Sequence, residues 1–139
     1  MLTGTRKQMR PYWGRIVFAH AEEWPLSSDP MAMMDRRFDD LCGSYGAEAE
    51  WTIILDKKDL VATVTIGYEK DQIYVYNLLV VPEYRNQGYS RQLLEHLLTK
   101  HKGKQFIGSA KEKLLPLYAK FGAQAVGETS GGHLSLQTR

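Results

Sequence analysis

The segment VVPEYRNQGYSRQLL, residues 80–94, decides the fold. An apolar run ends at Pro82, a short polar stretch with Gly88 follows, and leucines at helical spacing come directly after it. This order predicts a buried strand, a tight loop and an amphipathic helix. The first turn of such a helix has unpaired N–H groups and a partial positive charge, which suit a phosphate or pyrophosphate. An ordinary strand-to-helix connection is the alternative.

The predicted phosphate cradle differs from the two commonest nucleotide-binding motifs. Neither G-x-x-x-x-G-K-[ST] nor G-x-G-x-x-G occurs here, which argues against a kinase-type P-loop and a dinucleotide fold. Gly88 allows the backbone to approach a ligand closely, and Arg85 and Arg91 add positive charge. The pattern therefore predicts anion binding without specifying a nucleotide.

The rest of the chain predicts an alternation of strands and helices around this segment. The run IYVYNLLVV, residues 73–81, is continuously apolar and predicts a central strand covered on both faces. A helix over about residues 88–102 follows. The remaining predicted elements are strands at 12–20, 51–55, 60–68, 105–108, 124–129 and 133–138, a helix from Asp29 to about Gly43, and a helix at 110–121 that contains Pro116.

These elements predict an α/β fold in which helices pack against a mixed sheet. The 139 residues suffice for one domain, with residues 1–11 expected as a flexible tail. A composition of 43% hydrophobic and 24% charged residues is typical of a globular protein. No apolar run approaches the ~20 residues of a membrane span and no secretion signal is present, so we expect a cytoplasmic protein without a membrane partner.

Charge and cysteine content narrow the class of function. A net charge of +2 gives no support for nucleic-acid binding. The single cysteine, Cys42, and four scattered histidines argue against a disulfide scaffold and a metal site. Residues 20–59 contain ten acidic and four basic residues, whereas both flanking parts are basic. This distribution is compatible with an anionic ligand beside a cationic one, or with an ordinary mixed surface.

Two motifs resemble those of the GNAT superfamily of N-acetyltransferases. The family's core motif, Q/R-x-x-G-x-G/A after a V-x-P strand end, is matched by Arg85 and Gly88, with Ser90 at the final small position. Downstream, LYAKFGA at residues 117–123 resembles the family's Y-x-K-x-G-F helix end, with Ala123 in place of the usual aromatic. The motifs occur in the family's order and spacing, and the resemblance covers about residues 50–128.

The resemblance implies a mostly antiparallel sheet with helices on both faces and a central strand that splays from its neighbour. It also implies acetyl-CoA as the acyl-donor cosubstrate. The pantetheine arm would pair with the backbone of Leu78 and Val80, and Arg91 and Lys111 would face the phosphates. The pyrophosphate would be held by Arg85, Asn86, Gln87, Gly88, Tyr89 and Ser90.

Tyr118 matches the family's proton donor, since a phenol with a pKa near ~10 stays protonated at neutral pH. Its alternative role is a packed aromatic side chain. Tyr74 and Asn77 are candidates for lining the acceptor site, or else belong to the sheet core. No acidic residue occurs in residues 73–77 to act as the general base. The remaining candidates are Glu69, Asp71, Glu22, Glu23 and His20.

The expected function is an N-acetyltransferase that transfers an acetyl group from acetyl-CoA to a primary amine of a small molecule or protein. Transfer would be direct, in a ternary complex. The acidic stretch at residues 20–59 favours a cationic acceptor. The alternative is a catalytically inactive acyl-CoA-binding regulatory module, motivated by the missing strand carboxylate, Ser90 and Pro116. Dimers are common in the family, so the resemblance leaves a homodimer open.

Overall fold

A computed structural model of the chain describes residues 1–23, 41–111, 118–120, 123–128 and 133–138. Several predicted features lie outside these residues. They are most of the helix predicted from Asp29, the position of Pro116, and the residues that join the strands predicted at 124–129 and 133–138.

One mixed sheet organises the protein. Its strands follow the spatial order β1-β2-β3-β4-β5-β7-β6, and every neighbouring pair is antiparallel except β4 with β5. The mixed, mostly antiparallel sheet predicted by the family resemblance is confirmed. The strands are β1 (Leu2–Thr5), β2 (Glu50–Asp56), β3 (Asp59–Glu69), β4 (Gln72–Val80), β5 (Gln105–Lys111), β6 (Ala123–Glu128) and β7 (His133–Thr138).

Two helices, α1 (Trp13–Glu23) and α2 (Tyr89–Lys100), pack on opposite faces of the sheet. Successive residues of a strand point to opposite faces. Accordingly, Ile53 of β2 packs with α1, whereas Ile54 packs with the buried leucines of α2. Short 3₁₀ turns occur at Arg10–Tyr12, Gly43–Glu48 and Pro82–Tyr84. No helix in the described ranges is long and apolar enough to cross a membrane.

The N-terminal part differs from the sequence predictions. Residues 12–20 were predicted as a strand, but they belong to the 3₁₀ turn and to α1. Their β-branched residues suggested a strand, whereas the buried positions recur at helical spacing and pack against the sheet. Those positions are Trp13, Ile16, Val17 and His20. In place of the flexible tail expected over residues 1–11, the structure has β1, which pairs with β2, and a buried Met9.

The C-terminal part keeps the predicted order with shifted boundaries. Strand β5 continues to Lys111 because it pairs with β7, so the helix predicted from Ala110 begins later than expected. Of that helix, Tyr118 and Ala119 are helical in the described part. The strands predicted at 124–129 and 133–138 are confirmed as β6 and β7, which pair antiparallel.

Candidate active site

The candidate site lies where β4 and β5 separate. The two strands pair in parallel from Gln72 with Gln105 to Val75 with Gly108, and the described pairing extends no further. Beyond that point β5 continues along β7, while β4 continues along β3 to Val80. The edge of β4 from Tyr76 to Val80 is therefore not paired with β5. Backbone N–H and C=O groups on such an edge can bind an extended ligand in the manner of an added strand.

A bulge at Asn77 accompanies the separation. The register between β3 and β4 shifts between Thr63 and Thr65, and Asn77 has a positive φ of 54°. A bulge bends its strand, and asparagine adopts this left-handed conformation more readily than most residues. The Asn77 side chain is fixed as well, because its amide nitrogen donates to Leu41 O at 2.6 Å and lies 3.5 Å from Thr65 Oγ1.

Gly108 permits the close approach of β4 and β5 at the last pair before they separate. A Cβ atom at this position would lie 2.7 Å from the backbone oxygen of Val75. A backbone atom inside a sheet cannot move away without disturbing its ladder. The absence of a side chain at Gly108 therefore sets the spacing of the two strands where the opening begins.

The loop after β4 leads into α2 through Gly88. Gly88 is the N-cap residue of α2, with φ of 86°, and a Cβ atom there would meet nothing within 4 Å. The first intrahelical bond joins Gln92 N to Gly88 O at 3.0 Å. The amides of Tyr89, Ser90 and Arg91 consequently have no acceptor within the helix, and no side chain caps it. The predicted loop and helix are thus present, and the helix starts at Gly88 without a side-chain cap.

The polar residues of this loop are exposed. Arg85 Nε donates to the carbonyl oxygen of Val80 at 3.0 Å, and Gln87 Nε2 donates to Glu83 O at 3.4 Å. Asn86 has a positive φ of 64°, as a tight turn requires. Arg91, predicted to face phosphates, forms an ion pair with Glu95 at 3.0 Å one turn along the exposed side of α2. Its charge is near the cradle, but its guanidinium already has a carboxylate partner.

Aromatic side chains cover β4 on the face that carries α1. The rings of Tyr74 and Tyr76 are 5.4 Å apart, and both lie about as close to Tyr45, at 6.0 and 5.8 Å. The Tyr76 hydroxyl donates to Cys42 O at 2.5 Å. Burial, as the largest cause, raises the pKa of Tyr45 to about 12 and raises that of Tyr76 as well. The hydroxyls of Tyr45 and Tyr76 are therefore neutral donors near neutral pH.

The structure separates the candidates for a general base. His20 is buried in the core, where its Nδ1 lies 2.8 Å from Ile16 O and its ring edge packs on Trp51. Glu69 is exposed and accepts a hydrogen bond from the Tyr45 hydroxyl at 2.5 Å. Asp71 is exposed in the turn before β4. The side chains of Glu22 and Glu23 are outside the described part.

Tyr118 lies in the helical turn between β5 and β6, and its side chain is half-buried. Burial raises its pKa to about 12. The phenol therefore remains protonated across the neutral range, which a proton donor requires. The surroundings of Lys111, the other downstream candidate, are outside the described side chains.

Two features of the site were not predicted from the sequence. Tyr45 occurs in a glycine-flanked stretch, GSYG, that carried no motif, and Gly67 looked like an ordinary residue of β3. A Cβ atom on Gly67 would lie 2.4 Å from the Tyr45 ring, so the ring rests directly on the strand. Two signals in the sequence were available. A glycine inside an apolar strand often marks the close approach of another group to the backbone, as at Gly67. Asn77 inside a continuous apolar run is typical of a bulge.

Comparisons with known proteins agree with this architecture. The family model described as "Acetyltransferase (GNAT) family" matches residues 13–123, so the chain belongs to that family, whose members are acyltransferases. None of the curated proteins matches the sequence.

Solved structures share the fold at low sequence identity. An acyl-CoA N-acyltransferase from Pseudomonas aeruginosa is 16% identical with a TM-score of 0.76, covering 99% of this chain and 97% of that one. ElaA from Escherichia coli is 19% identical with a TM-score of 0.70 and the same coverage. An aminoglycoside 6'-N-acetyltransferase complexed with coenzyme A is 12% identical with a TM-score of 0.74, covering 99% and 96% of the chains.

Proposed function

We propose that the protein is an N-acetyltransferase that transfers an acetyl group from acetyl-CoA to a primary amine. The observation that carries this proposal is the continuity of two features of the chain. The edge of β4 released after Val75 leads, within one short loop, to the open helix start at Gly88. An extended arm with a pyrophosphate at its end matches both features at once, because the first takes backbone hydrogen bonds and the second takes negative charge.

The residues present fit acetyl-CoA on two counts. Gly88 leaves open space where any side chain would project, and the amides of Tyr89 to Arg91 have no acceptor within α2. Leu78 and Val80 would bind the pantetheine arm through their backbone, and Arg85 to Ser90 would hold the pyrophosphate. Arg91 would contribute through its charge, since it is paired with Glu95. The cosubstrate supplies a thioester, which is an activated acyl group.

The transfer requires a neutral amine, a C–N bond formed as the C–S bond breaks, and a proton for the departing thiolate. Tyr118 is the proposed proton donor, because burial keeps its hydroxyl protonated. The amine loses its proton to water or arrives as the free base, since β4 carries no carboxylate beside the opening. Tyr74 and Asn77 contribute to the acceptor side, where Asn77 acts by fixing residue Leu41.

The alternative function is an acyl-CoA-binding regulatory module without catalysis. The specific observation in its favour is the state of the base candidates: His20 is buried in the core and Glu69 is engaged by Tyr45. Both functions require acyl-CoA binding, so binding alone does not distinguish them.

The test combines calorimetry with a thiol-release assay. The protein is titrated with acetyl-CoA and then incubated with acetyl-CoA and a panel of polyamines, amino acids, aminoglycosides and peptides with free N-termini. Acetyl-CoA incubated with protein but no amine measures background hydrolysis. Amine-dependent release of coenzyme A with a mass increase of the acceptor supports the transferase. Binding without release across the panel supports the regulatory module, and absence of binding contradicts both.

A further inference from the structure

We propose that the acceptor carries two amino groups, and that Glu69 binds the second as an ammonium ion while the first reacts where β4 leaves β5. This inference rests on the proposed function and names its substrate class. Three features support it: the hydrogen bond that orients the Glu69 carboxylate, the absence of a cationic partner among the described residues, and the distance from Glu69 to the point where β4 leaves β5.

Glu69 is held in place by a built arrangement. The Tyr45 ring rests on the backbone of β3 at Gly67, where a Cβ atom would lie 2.4 Å from the ring. From that position the Tyr45 hydroxyl donates to Glu69 Oε1 at 2.5 Å. Fixing an exposed glutamate costs side-chain entropy, and this cost is reduced when a partly buried tyrosine orients the carboxylate. The bond from Tyr45 uses Oε1, which leaves Oε2 to bind a ligand.

Carboxylates in the described part of the chain differ in their partners, and Glu69 resembles Asp56, which accepts a hydrogen bond from the Tyr84 hydroxyl at 3.3 Å. Glu50 pairs with Lys100 at 2.8 Å, and Glu95 pairs with Arg91 at 3.0 Å. Within the described part of the chain, Glu69 forms no ion pair, and its hydrogen-bond donor is a neutral phenol. The hydrogen bond sets the direction of the carboxylate, and no cation in the described part occupies it. A charge-assisted hydrogen bond to an ammonium ion of the acceptor would fit there.

The ammonium ion bound by Glu69 would lie away from the reacting amine. Glu69 pairs with Gln72 across the β3–β4 hairpin, and β4 separates from β5 after Val75. Three residues of strand correspond to about 10 Å. One amino group cannot occupy both places, so the acceptor needs two, joined by a spacer of that length.

The surface between the two places suits the spacer. Tyr45, Tyr74 and Tyr76 lie on one face of β4, with ring centroids 5.4 to 6.0 Å apart. They cover the span from the opening, next to Tyr76, to the carboxylate of Glu69. Aromatic rings pack against methylene groups and attract ammonium ions through their faces. A linear diamine with an apolar spacer matches this order of charge, ring surface and reaction site.

The experiment compares two acceptors that differ in one group. Octamethylenediamine has a second amine, and the amino alcohol of the same chain length has a hydroxyl in its place. Coenzyme A release is measured with each, and kcat and KM are determined. For the unsubstituted protein we expect kcat/KM to be about three- to tenfold higher for the diamine, as an oriented ion pair with cation–π support predicts, with the difference in KM.

Glu69→Gln tests the assigned residue. Glutamine keeps the size of the side chain and still accepts a hydrogen bond from Tyr45, but it lacks the charge. We expect this variant to use both acceptors with similar kcat/KM, because the difference in KM between them depends on the carboxylate. Asp59→Asn is the matched control, because it removes an exposed carboxylate at the opposite end of β3. It should retain the preference for the diamine.

Each outcome decides the inference. A preference that persists in Glu69→Gln, or that is absent from the unsubstituted protein, overturns it. If no amine is acetylated, the proposed function fails by itself, and calorimetric binding of octamethylenediamine then decides. Weaker binding to Glu69→Gln than to Asp59→Asn would still support a diamine site, whereas equal binding to the two variants would exclude it.

Discussion

The side chain of Asn77 joins the bulge of the central strand to the carbonyl oxygen of Leu41, with an N–O distance of 2.6 Å. The preceding residue forms a similar bond, since the Tyr76 hydroxyl donates to Cys42 O. Two consecutive residues of β4 thus hold two consecutive carbonyl groups of the segment before β2. The geometry of the strand opening and the position of that segment are therefore coupled.

Asn77 is expected to contribute to stability in two separable ways. Asn77→Gly keeps the positive φ but loses the side-chain bond, which should lower the free energy of unfolding by about 1 kcal/mol. Asn77→Ala also places an unfavourable residue at φ of 54°, which should cost about 1 kcal/mol more. Urea unfolding of both variants measures the two contributions. Equal stability of the variants would show that backbone conformation is not a factor.

Gly67 is expected to matter because of Tyr45. A Cβ atom at residue 67 meets the ring at 2.4 Å, so Gly67→Ala should lower the free energy of unfolding by about 1–3 kcal/mol. In a Tyr45→Ala background the obstacle is gone, and the same substitution should be neutral or slightly stabilising, since alanine loses less backbone entropy than glycine. A double-mutant cycle by chemical unfolding measures the coupling. Additive effects would show that the close approach is not the cause.

The sequence predicted the centre of this fold better than its N-terminal part, for physical reasons. The run at residues 73–81 has one interpretation, because a long apolar run between polar turns favours a central strand. It forms most of β4, which is partly buried along most of its length. Residues 12–20 allowed two interpretations. Their β-branched residues favour a strand, whereas the spacing of their buried residues is that of a helix. The contact with Trp51, distant in sequence, favours the helix.

Features of the site were predictable from the sequence where neighbouring residues form them, but not where residues distant in sequence do. The loop at Gly88 is formed by residues adjacent in sequence, so its open helix start was predictable. The support of Glu69 by Tyr45 joins residues 24 positions apart, and nothing near either one indicates the other. Arg91 is expected to face the phosphates, and the structure adds that it pairs with Glu95, one turn along α2.

The open space at Gly88 predicts a separation of stability from cofactor affinity. Asparagine tolerates a positive φ, so Gly88→Asn should fold with nearly unchanged stability, yet its side chain enters the proposed pyrophosphate cradle. We expect the affinity for acetyl-CoA to fall by about tenfold or more. Gly103→Asn is the matched control, since Gly103 also has a positive φ, of 83°, and open space around it. Calorimetry should show that Gly103→Asn leaves the affinity for acetyl-CoA unchanged. Similar losses of affinity in both variants would contradict the proposed pyrophosphate cradle at Gly88.

The lowered pKa values of His96 and His101 predict that the free energy of unfolding decreases in acid. Burial is the largest cause lowering the pKa of both His96 and His101 from the ordinary value of 6.5, and the charge of Lys100 acts in the same direction, while that of Glu50 opposes it. Because the folded pKa lies below the unfolded one, their contribution is complete above pH 6.5 and is lost as pH falls through the lowered values. His101→Gln should therefore flatten the decline of unfolding free energy below pH 6.5. An identical pH dependence in the variant would exclude His101.

Tyr118 predicts both a loss of turnover and a feature of the pH profile. Tyr118→Phe should lower kcat about a hundredfold or more, with little change in the affinity for acetyl-CoA, because the hydroxyl is needed when the thiolate departs. Tyr68→Phe is a matched control, since the pKa of Tyr68 is also raised to about 12, but its hydroxyl donates to Glu50 of β2, outside the proposed site. Its turnover should be unchanged.

The pH profile of the unsubstituted protein provides a second test of Tyr118. Its pKa is raised above the ordinary value of 10 to about 12, so the donor stays protonated through the whole range in which a primary amine loses its proton. We therefore expect kcat/KM to rise with pH and to show no decline due to Tyr118 below pH 10. A decline near pH 8 that disappears in Tyr118→Phe would show that the phenol ionises there, contrary to the buried environment. Full turnover in Tyr118→Phe would remove the tyrosine from the mechanism altogether, because phenylalanine preserves the ring packing and deletes the transferable proton alone.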